Sequence, residues 1–356
     1  MRREEAIGSR DAEPSVMPVT VSRWSRTASA FTGVCVVAVA VGVAVPYVIG
    51  GPAEQPLITL LTFIAMASLW NLLAGFSGLT SFGQQAYIGV GAYALYLVAE
   101  HGINPFGGII AAAAVAAVVA LPVSAVVLRL TGGYFAVATL VVASTFQIIA
   151  TLSPSVGGTT GVAVPGLAGY SDVLREALTY WATLAVAVIS VAGVYLLVRR
   201  TFGLDARAVG SDPVGAAASG VRVGRIRLLA YLVAAGGAGA VGALIALQTL
   251  YVEPTSAFSI QYSVDMLFMV LIGGMATIEG PIVGALVLFA LQETLSAYGA
   301  WYLVIVGGLA VVTTLVAPRG LWGLASERFG WSLLPVGYLV RPPRTGTGRA
   351  EPRRRP

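Results

Sequence analysis

Ten apolar runs take up most of this chain: Phe31–Ile49, Leu57–Leu73, Gly83–Ala99, Phe106–Leu128, Tyr134–Leu152, Leu178–Val198, Leu228–Leu250, Val264–Met275, Ile282–Leu295 and Tyr302–Val316. About 20 apolar residues in a helix cross the hydrocarbon core of a bilayer, and lipid tolerates no backbone whose polar groups lack partners. The runs therefore predict an all-α polytopic membrane protein with roughly ten transmembrane segments, some of them short or broken. A β-barrel is excluded, because no alternation of apolar and polar residues in segments of about ten is present. Composition agrees: of 356 residues only 10% are charged and 57% hydrophobic, against about a quarter charged in soluble domains.

All 21 basic residues are arginine, and their placement sets an orientation. Arg23 and Arg26 precede the first run, which is too long for a signal-peptide core and lacks a clear cleavage site. Alternating the runs from an inside N-terminus puts Arg129, residues 199–227 and the C-terminal tail in the cytoplasm, leaving Arg175 outside; positive charge inside is the rule for such proteins. Three regions follow: a disordered cytoplasmic tail at 1–28, a membrane domain at 29–324, and a cytoplasmic tail rich in Arg and Pro at 325–356. The basic pI of about 9.5 comes from arginines flanking spans, which implies contact with membrane lipid and no nucleic acid.

The absence of lysine removes whole classes of chemistry. A phosphate-cradling P-loop needs its lysine, and Schiff-base catalysis needs an amine. One cysteine, Cys35, and one histidine, His101, supply neither a zinc site nor a nucleophile pair. Cys35 lies inside an apolar run and is expected to be a buried, inert thiol; His101 is expected in a loop. No catalytic residue, metal ligand or cofactor site is expected.

Two stretches interrupt the apolar pattern, Gly75 to Gln85 and Gly273 to Pro281. Irregular backbone at membrane depth persists only where protein or a water-filled cavity satisfies its amides. The two share a loose pattern of paired small residues, a polar residue and an apolar run, a faint internal repeat. Were the first stretch helical, Ser77, Ser81, Gln85 and Gly89 would share one face. Two roles fit that stripe: helix packing through small and amide side chains, or lining of a path for solute. Tyr134, Thr139, Ser144, Thr145 and Gln147 make a second, looser polar set in the fifth run, where packing is the favoured role; Tyr134 and Thr139 join Ser77, Ser81 and Gln85 as the five expected path residues. Carboxylates at mid-depth are scarce, since Asp265, Glu279 and Glu293 fall near segment ends, and this weighs against ion coupling.

Residues 199–227 form a cytoplasmic loop rich in arginine, Arg207 among them. Asp212 suits an N-cap, Pro213 the first helical position and Gly220 the residue just past the end. Ala216, Ala217 and Ala218 give the helix a small-residue surface. It is either a plain connector or a docking element for a separate energy-supplying subunit.

Several stretches together resemble the permease subunits of branched-chain amino acid ABC importers, in particular the longer of the two permeases in such systems. They are Asn71 to Gly83, Gly89 to Tyr93, Gly133 to Leu140, Gly157 to Gly161, the capped loop from Gly203 to Gly220, Ile272 to Pro281, and Pro318 to Leu321. The likeness runs in order from residue 57 to about 324. It implies a translocation path for branched-chain amino acids and no ATPase site of its own. The implied partners are a second homologous permease, two cytoplasmic ATP-binding subunits that bind and hydrolyse the ATP, and an extracytoplasmic substrate-binding protein. It also implies the bacterial plasma membrane. Two positions depart from the pattern. Ser144 stands where an acidic residue is frequent, which leaves urea, short-chain amides or another small polar solute as alternatives. Gly210 replaces a frequent arginine, which lowers the charge at the ATPase contact. An ion-coupled secondary transporter is the rival of a different class.

Overall fold

The computed structural model describes residues 20–22, 26–48, 54–167, 169–295, 298–299, 301–317, 319–329 and 339–341. The Cys35 side chain and most of both tails lie outside the described residues. Each of the ten apolar runs becomes a helix: α1 (Arg26–Val48), α2 (Gln55–Asn71), α3 (Gln84–Glu100), α4 (Pro105–Val127), α5 (Gly133–Leu152), α6 (Asp172–Arg199), α9 (Val223–Thr249), α11 (Gln261–Gly273), α12 (Glu279–Leu295) and α13 (Trp301–Val316). Four shorter helices complete the order: α7 (Thr201–Ser211), α8 (Pro213–Ala218), α10 (Pro254–Ala257) and α14 (Gly320–Phe329).

The chain is thus a multi-pass, all-α membrane protein, but the expected count of ten spans is approximate. Six stretches among the described residues are long and apolar enough to cross a membrane, or seven when the pair Val304–Val316 and Gly320–Arg328, bent by 42°, counts as one. In two of the helices the shortfall is one of length. Helices α3 and α12 have 17 residues each, about 25 Å at 1.5 Å per residue, less than the roughly 30 Å of a hydrocarbon core.

Helix α9 is the centre of the bundle, wedged between α3 and α4. Its glycines make that possible. A Cβ on Gly239 would stand 2.8 Å from the Ala112 carbonyl oxygen, and one on Gly242 would stand 2.7 Å from the Ile88 carbonyl carbon. Without lipid-excluding hydrophobicity to drive them together, helices in a bilayer associate by such close backbone approach. Deeper in the core, the hydroxyls of Tyr87 on α3 and Tyr231 on α9 meet at 2.8 Å with both rings buried, so neither polar tip is left bare in the interior.

At one end of the bundle the loop after α5 meets the loop after α9. There β2 (Val162–Ala163) pairs antiparallel with β3 (Tyr251–Val252), and Val164 donates its N–H to the Leu250 carbonyl at 3.0 Å. His101 sits in the turn after α3 at this end, as expected, its ring nitrogen 2.7 Å from the Leu97 carbonyl. A further antiparallel pair joins β1 (Thr20–Ser22) to β4 (Leu339–Arg341).

Candidate functional site

The opposite end holds both interruptions. Helix α2 loosens into a π-turn at Leu72–Phe76, and regular structure stops until Gln84. The second break separates the end of α11 at Gly273 from the start of α12 at Glu279. Ser77 and Ser81 therefore lie in irregular backbone, and the single helical face shared by Ser77, Ser81, Gln85 and Gly89 does not exist. Local hydrogen bonding explains why. Leu79 returns its N–H to the Leu73 carbonyl at 3.0 Å, Ser77 donates its hydroxyl to Leu72 at 3.1 Å, and Gly78 takes a positive φ of 69°.

Four of the five expected path residues are buried. Ser77, Ser81, Gln85 and Thr139 are each at most 1% exposed. Trp70 donates its indole N–H to the Ser81 carbonyl at 2.9 Å, and the Ser81 hydroxyl accepts from the Gly83 amide at 3.2 Å. Thr139, on α5, accepts from the Phe82 amide at 3.2 Å and so ties α5 to the first break. Gln85, at the start of α3, accepts a hydrogen bond from the Ser263 hydroxyl on α11. Tyr134 does not join them: it is 79% exposed at the start of α5. Cavities flank the breaks: one of 270 Å³ is lined by Gly78, Thr80, Thr131, Phe135 and Arg227. Another of 310 Å³ lies beside Met275, Thr277, Arg319 and Trp322.

One residue that was not singled out as a candidate fastens the two breaks to each other. The Asn71 side chain accepts the Ala276 N–H at 2.9 Å and donates to the Thr277 carbonyl at 2.7 Å, across 206 positions of sequence. A Cβ on Gly75 would overlap the Asn71 amide and stand 2.7 Å from the Ala276 nitrogen, so glycine there makes room for the clasp. The Thr277 hydroxyl accepts from Gly280 at 3.0 Å and thereby caps the start of α12. The sequence signal for Asn71 was present: a lone amide near the end of the run Leu57–Leu73, shortly before the break.

Residues 199–227 are more ordered than a loop. α6 continues to Arg199, and α7 fills Thr201–Ser211 with Phe202, Ala206 and Val209 buried, so the expected loop is two helices with short joints. The capped helix is α8, and its caps are as the spacing predicts. Asp212 accepts the Val214 N–H at 3.0 Å, Pro213 occupies the first turn, and Gly220 takes φ 88° past the end. Val221 donates to the Ala216 carbonyl and Gly220 to Ala217, each at 3.0 Å, which closes the helix by the glycine-dependent C-terminal motif.

Its surface differs from expectation at one position. Ala216 is 5% exposed and belongs to the core, so it offers nothing to a partner. The outward face is Ala217, Ala218 and Val214, the last 79% exposed; the i, i+3, i+4 spacing gathers these three on one side. Arg207 also turns inward, its guanidinium 5.5 Å from the centre of the Phe76 ring, and burial pulls it below the ordinary arginine value.

Comparison with known proteins agrees with this architecture. Residues 53–315 match the family profile described as branched-chain amino acid transport system / permease component. The chain is 27% identical over 312 residues to the high-affinity branched-chain amino acid transport system permease protein LivM of Escherichia coli (strain K12), covering 78% of this chain and 72% of that protein. It is 26% identical over 314 residues to the LivM protein of Salmonella typhimurium (strain LT2), covering 79% and 72%. No solved structure matches. With two interrupted spans clasped at one end of an all-α bundle and nearly three quarters of its length inside the family profile, the chain belongs to the permease component family of branched-chain amino acid transport systems.

Proposed function

We propose that this chain is a membrane-spanning permease subunit of an ATP-driven importer and forms part of the path for branched-chain amino acids. The observation that carries the reading is α8: a helix capped at both ends that presents Val214, Ala217 and Ala218 to solvent and packs on α7, which itself lies against the first broken span. An apolar face on a short, stiff helix has no use in water, and it suits a groove on a cytoplasmic ATPase. A 140 Å³ cavity at the other end supports the choice of solute. Its walls are largely apolar, with Ile88, Ala92 and Gly242 among them, and Glu253 supplies one carboxylate. An aliphatic side chain beside an ammonium group matches that combination.

In this reading two ATP-binding subunits dock on the cytoplasmic end, a second homologous permease completes the path, and a substrate-binding protein delivers solute to the end that carries β2 and β3. The chain makes and breaks no bonds and holds no cofactor. Ser81, Gln85 and Thr139 set the geometry of the inner part of the path.

The test is to purify the assembled complex with wild-type chain and with Ala217→Trp. The bulky variant is expected to insert normally but to lose its ATPase and solute uptake into vesicles. Retention of both at wild-type levels would make α8 a connector. Orientation is checked separately: in a Cys35→Ala background, Ser219→Cys is expected to resist impermeant thiol reagents added outside intact cells, and ready labelling would reverse the topology.

A further inference from the structure

We infer that Gly210 and Asn71 are the positioning residues of a joint that delivers motion of α7 and α8 to both broken spans at once; the inference rests on the importer reading above. At the α7 side, the backbone of Gly210 lies against the first break. A Cβ on Gly210 would stand 2.8 Å from the Phe76 carbonyl oxygen, and one on Gly78 would stand 2.9 Å from the Gly210 Cα. The Arg207 guanidinium over the Phe76 ring makes a second hold one turn earlier on the same helix. At the far side, Asn71 grips Ala276 and Thr277 of the second break through two hydrogen bonds.

The consequence is geometric. The first break cannot shift while α7 stays still, because backbone touches backbone and no flexible side chain lies between them. The second break cannot shift independently either, because both of its bonds to Asn71 are made by main chain, and Ala276 is held at φ 57°, in the left-handed region that is unfavourable for alanine. Packed interfaces of this kind move as discrete bodies and do not deform continuously. Glycine at 210 is what the contact requires. The exchange of a frequent arginine for Gly210, which charge alone reads as a weaker ATPase contact, is on this geometry a site of intramolecular contact.

The experiment uses the full assembly, with its ATPases and binding protein, in vesicles, and reads ATP hydrolysed per solute taken up. Gly210→Ala is the informative variant, since alanine is the better helix former and leaves α7 intact while its methyl wedges the joint. Asn71→Ala releases the second break. Each is expected to keep its ATPase and its basal hydrolysis and to raise the ratio by about fivefold or more, the lower range of coupling between sites. An unchanged ratio in both variants overturns the joint, as does loss of assembly with a wild-type ratio in whatever complex remains. A wild-type assembly that takes up solute without ATP overturns the importer reading itself, a result distinct from either.

Discussion

Helices α5 and α9 are equally apolar, yet 61% of the membrane window of α9 is buried within the chain against 22% for α5. The difference lies in residue size. α9 carries Gly236, Gly237, Gly239 and Gly242 among alanines, and neighbouring backbones press into it. α5 turns Val137, Val141, Ile148 and Ile149 outward, each more than half exposed. Apolarity thus assigns a segment to the membrane, and small residues assign it to the protein interior. The outward face of α5 is the kind of surface that lipid or a second permease covers.

The comparison breaks most visibly at Gly242. Gly242→Leu is expected to cost more than about 3 kcal/mol, above the usual range for overpacking, because backbone blocks the new side chain. The variant should fail to accumulate in membranes, and normal accumulation would show that α9 is not the packed centre. A middle case is Gln85 on α3, which bonds Ser263 across to α11. Gln85→Leu is expected to cost only about 0.6 kcal/mol, the average for a cross-helix hydrogen bond in a bilayer. Assembly should stay near normal while uptake falls, and a parallel loss of both would reduce Gln85 to packing. The smallest effect belongs to α5. Val141→Leu is expected to lie within about 0.5 kcal/mol of wild type, as surface substitutions do; a larger loss, measured as melting of the purified complex, would place a protein partner on that face.

How much of this was legible in the sequence follows the same division. Apolar length located all ten helices, and arginine, glycine and proline marked the loops and α8, because those signals are local. Asp212, Pro213 and Gly220 cap α8 as their chemistry dictates. What escaped was contact between distant parts. The spacing of Ser77, Ser81 and Gln85 suggested one helical face, but bonds from Leu79 and Gly83 broke the helix there. Asn71 lay inside the run Leu57–Leu73 with nothing local to name its partners, which lie more than 200 positions away. Ala216 and Ala217 are identical in sequence and opposite in exposure, and only the packing of α8 on the bundle separates them.

The ladder between β2 and β3 is built from main chain alone, Val162 opposite Val252 and Ala163 opposite Tyr251. Any residue except proline can hold such a ladder, since only proline lacks the amide hydrogen. The exposed Ala163 is therefore open to exchange without loss of the tie, whereas Val252 is buried, a Cβ on Gly161 would stand 2.5 Å from the Val252 carbonyl oxygen, and the Tyr251 hydroxyl donates to the Thr160 carbonyl. A lineage can re-letter such exposed ladder positions to meet a new delivery partner while the loops stay joined, a freedom denied to Gly161 at this end and to the glycine contacts and the asparagine clasp at the other.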